Sequence, residues 1–77
     1  MRAAQTTPNE AASRLTDVDV AGLALMELKQ IAGEYLTAML EAADPEVRQQ
    51  FERGLHRALQ DYDRLRRAAA ALRPEAA

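Results

Sequence analysis

A single proline divides the apolar pattern of this chain into two helical halves. Asp44-Pro45-Glu46 places a capping aspartate ahead of a proline at a first helical position, with an acid just inside it. Proline also disfavours helical geometry at the residue before it, so a preceding helix has to end at about Ala42 or Ala43. On the N-terminal side, Val18, Ala21, Leu25, Leu28, Ala32, Tyr35, Met39 and Ala42 alternate spacings of three and four. On the C-terminal side, Phe51, Leu55, Ala58, Tyr62, Leu65, Ala69 and Leu72 do the same, and Pro74 closes the run. Both are heptad seams, and no strand-like alternation of useful length interrupts them.

The pattern predicts helix one over about 17–43, capped by Thr16 with Asp17 and Asp19 at its positive end, and helix two over about 45–72. Residues 1–14 are small and polar and read as a flexible tail with at most a short turn after Pro8. Residues 15–73 form the hairpin, and 74–77 a short C-terminal tail. Seventeen alanines and ten leucines among 77 residues, with three glycines and three prolines, agree with an all-helical chain. The fold expected is therefore all-α: an antiparallel hairpin of two long helices joined by a very short turn.

The two halves differ in charge and in polarity. Residues 15–44 hold six acids against Lys29, a net of −5, whereas residues 45–73 hold seven arginines against four acids, a net of +3. That contrast suits antiparallel pairing, although exposed ion pairs contribute only about 0–1 kcal/mol each. Helix two is cleanly amphipathic, with Gln49, Gln50, Arg53, His56, Arg57, Gln60, Asp63, Arg64 and Arg67 turned outward. Helix one is not, because Leu23, Met26, Ile31, Leu36 and Leu40 lie beside its seam. Met26, Gly33, Leu36 and Leu40 form a second face, which Gly22 starts and Gly33 interrupts. A chain this short cannot bury so wide an apolar surface against one partner helix. The expected remedy is a homodimer, two hairpins making a four-helix bundle, with Met26, Leu36 and Leu40 at the contact.

Several chemistries find no support. The chain has no cysteine and one histidine, which removes disulfides, thiol nucleophiles and sites needing two imidazoles. Glu27, Glu34 and Glu41 share a line on helix one, but the Glu-x-x-His motif of carboxylate-bridged metal sites is missing, since Arg53 stands three positions before His56. A solvated acidic edge facing the arginines of helix two is the expected reading, and His56 is expected on the surface beside Glu52. Arg53, Arg57, Arg64, Arg66 and Arg67 make a basic strip, yet Asp61 and Asp63 dilute it and no exposed aromatic accompanies it for stacking. No catalytic residue, metal or cofactor is expected, and nucleic acid is disfavoured as a partner. With no secretory leader and no apolar run long enough for a membrane span, the chain reads as soluble and made in the cytoplasm.

The stretch Leu25 to Leu65 resembles the coat F domain of bacterial spore coat proteins. It shares Leu28-Lys29, Tyr35, Leu40-Glu41-Ala42, Pro45-Glu46-Val47-Arg48 and then Leu55, Ala58 and Leu59, with EAADPEVR, Glu41 to Arg48, as its most specific part. Tyr62 and Arg66-Arg67-Ala68 depart from the family's pattern, which has a histidine at the first position and an aromatic-methionine ending at the second. The resemblance implies a ferritin-like helical protein of the endospore coat, structural and non-catalytic, with other coat proteins as partners. The alternative is a small regulatory or adaptor hairpin dimer that binds RNA or a partner protein.

Overall fold

The computed structural model describes residues 8–72, with side chains described at Glu10 and from Thr16 onward. Two helices account for nearly all of this span. Helix α1 runs Pro8–Glu41 and α2 runs Pro45–Leu72, packed antiparallel as a hairpin. At 1.5 Å per residue they are about 51 and 42 Å long. Of the tails expected over 1–14 and 74–77, residues 1–7 and 74–77 lie outside the described residues.

The expected start of helix one needs correction. It begins at Pro8 rather than near Asp17, so residues 8–14 are helical and Thr16 is a helix-interior residue instead of an N-cap. Pro8 occupies the position that tolerates a missing amide, and Glu10 brings negative charge to the first turn. Ala11, Ala12, Arg14 and Leu15 are good helix formers, so local propensity carries the helix through a region without an apolar seam.

The turn is built by Asp44 and Arg48. Asp44 Oδ1 accepts hydrogen bonds from the Glu46 amide at 2.8 Å and the Val47 amide at 3.1 Å. Its carbonyl accepts the first intrahelical bond of α2, from the Arg48 amide. At the other side of the turn, the Ala42 amide still donates to the Ala38 carbonyl, while the Ala42 carbonyl accepts from the Arg48 guanidinium at 2.7 Å. Orphan amides of α2 and an orphan carbonyl of α1 are thus satisfied by two side chains within the EAADPEVR segment.

Between the helices, every residue of both expected seams is at least partly buried, and the helix-one row Ala24, Ile31 and Ala38 joins them. The contact is nevertheless thin. Among the described residues only Ala21, Gly54, Ala58 and Ala69 are buried, and no large side chain is fully enclosed. Small residues dominate because the helices approach closely at points where bulk is absent. Gly54 shows this best: a Cβ added there would lie 2.4 Å from the Tyr35 ring. That ring sits in the notch and meets Phe51 at 6.3 Å between centroids, tilted by 49°. Farther along, the Lys29 ammonium lies 6.0 Å from the centre of the Tyr62 ring. With Tyr35 opposite Gly54 and Lys29 opposite Tyr62, Leu72 falls near the level of Asp17, and roughly two turns of α1 project beyond it.

Asp44→Ala should lower the stability of the hairpin by about 1 kcal/mol through loss of the cap, read from the shift in a chemical denaturation curve. For Gly54→Ala the sign depends on Tyr35. Helix propensity favours alanine by about 1 kcal/mol, whereas displacing a packed ring costs about 1–3 kcal/mol. The variant should therefore melt lower than the parent, yet melt higher than Tyr35→Ala when combined with it.

Candidate functional site

The three side chains expected at an oligomer contact are exposed. Met26 is 67% exposed, Leu36 48% and Leu40 79%, and Leu23 beside them is 66% exposed. Ile31, grouped with them in the sequence pattern, turns to the opposite flank instead. There it lines a groove with Glu34, Tyr35, Ala38 and Phe51, and a second with Ala24, Glu27, Leu28, Asp61, Arg64, Leu65 and Ala68. Gly33 lies between Met26 and Leu40, and a Cβ added there would meet nothing within 4 Å. A shallow depression lined by Gln30, Gly33, Glu34, Thr37 and Ala38 marks its position. Large exposed apolar side chains on α2 are only Val47 and Leu59. The apolar surplus therefore belongs to α1.

The acidic line is a solvated edge, with Glu27, Glu34 and Glu41 all exposed. Among the described residues, Glu27, Glu34 and Glu41 form no ion pair with the arginines of α2. Glu27 and Arg64 merely share the rim of one groove. The residues on the charged faces are exposed and gain more from water than from a long-range partner. The ion pairs of α2 run along that helix: His56 lies 3.8 Å from Glu52, and Arg66 and Arg67 both donate to Asp63. The Arg66 hydrogen bond at 3.0 Å, followed by the one from Arg67, holds the Asp63 carboxyl below the usual aspartate range. Two arginines of the basic strip are thus already occupied by an acid of their own helix.

Among the described residues, no group of three or more His, Asp or Glu side chains is placed to hold a metal ion. No described helix is long and apolar enough to cross a membrane. The described surface carries one apolar face on α1, and charged faces elsewhere.

Comparison with known protein families matches residues 16–69 to the Coat F domain. The chain belongs to the Coat F domain family. The family is one of spore coat proteins, and the match covers the packed part of the hairpin, from the level of Thr16 through the last buried residue of α2, Ala69. It also includes the whole of the Asp44 and Arg48 turn, whose hydrogen bonds give a physical reason for the EAADPEVR segment. No curated protein and no solved structure matches the chain.

Sequence reading missed Gly54, which it left among ordinary helix-two residues. The available signal was a glycine beside a seam in the middle of a helix, which costs about 1 kcal/mol against alanine and so calls for a close approach.

Because the Asp63 pKa is lowered in the folded chain, its contribution to stability is present above the usual aspartate value and is lost as pH falls through the lowered one. Melting temperature should fall on acidification below about pH 4, and Asp63→Asn should flatten that part of the curve.

Proposed function

We propose that this protein is a structural component of the bacterial endospore coat that works by assembly and not by catalysis. The Coat F domain match over residues 16–69 carries this reading. The surface agrees with it, because the most distinctive feature of the hairpin is an apolar face on α1 rather than a cluster of reactive groups. Met26, Leu36 and Leu40 are the side chains we assign to contacts with neighbouring molecules in the coat, and burying such side chains drives association. The charged faces select among those neighbours, since complementary charge steers encounter and excludes wrong partners more than it adds affinity. The cap at Asp44 and the notch at Gly54 serve to hold α1 and α2 in a fixed register, so that the α1 face is presented as one surface.

The localisation of a tagged copy in sporulating cells tests this. The tag should gather at the surface of the forespore and be recovered with the purified coat. A copy that stays evenly distributed through the cell during sporulation, and is absent from the coat fraction, would contradict the reading.

A further inference from the structure

We draw no further inference here: the strongest candidate, the exposed apolar face of α1 formed by Leu23, Met26, Leu36 and Leu40, carries nothing, because nothing in the structure shows what covers it.

Discussion

A helix packed against one partner can bury only a single stripe of its surface, and this limit governs the whole chain. Helix α2 comes close to it: apart from exposed Val47 and Leu59, its large apolar residues lie in the seam, and its remaining faces carry mainly arginine, glutamine, acid and alanine. Helix α1 exceeds it, with Leu23, Met26, Leu36 and Leu40 left in water after the seam is filled. The seam itself is narrow, its most buried members being alanines and one glycine. Burial of small side chains removes little apolar area from water, so the hairpin gains less from its internal contact than a larger core would provide. An energetic reason to associate and an apolar surface with which to do so come from the same imbalance.

The features that hold the hairpin in register compensate in part for that thin core. Asp44 and Arg48 satisfy both helix ends at the turn, which fixes where α1 stops and α2 starts. Tyr35 sits in the notch of Gly54, backed by Phe51, and this opposes sliding of the helices, because the seam residues one turn away on α2, Phe51 and Ala58, carry side chains where Gly54 has none. A charged-to-aromatic contact between Lys29 and Tyr62 marks the other half of the seam.

Much of this was legible in the sequence, for a physical reason. Side chains that face another helix must be apolar at regular spacing, so both seams and the turn at Asp44-Pro45 could be placed from residue order alone. The same reasoning misplaced the beginning of α1, because apolar periodicity reports where a helix has a partner, not where it begins. The seam starts at Val18, close to where α2 runs out, whereas propensity extends the helix back to Pro8. Thr16 with Asp17 and Asp19 has the composition of a cap and lies at the edge of the packed region instead. Gly54 was hidden because spacing says which residues face inward but not how near the partner comes. Exposure of Met26, Leu36 and Leu40 followed from the excess of apolar residues on helix one. The pairing of opposite charges across the hairpin did not follow, since net charge does not set distances between individual side chains.

The central proposal is that the apolar face of α1 is covered by association. Thermal unfolding of the full chain, followed by circular dichroism over a hundredfold range of protein concentration, tests it most directly. If folding and association are coupled, the melting temperature should rise steadily with concentration. A melting temperature that stays constant over that range, with full helix content at the lowest concentration, would show a self-sufficient monomer and contradict the account.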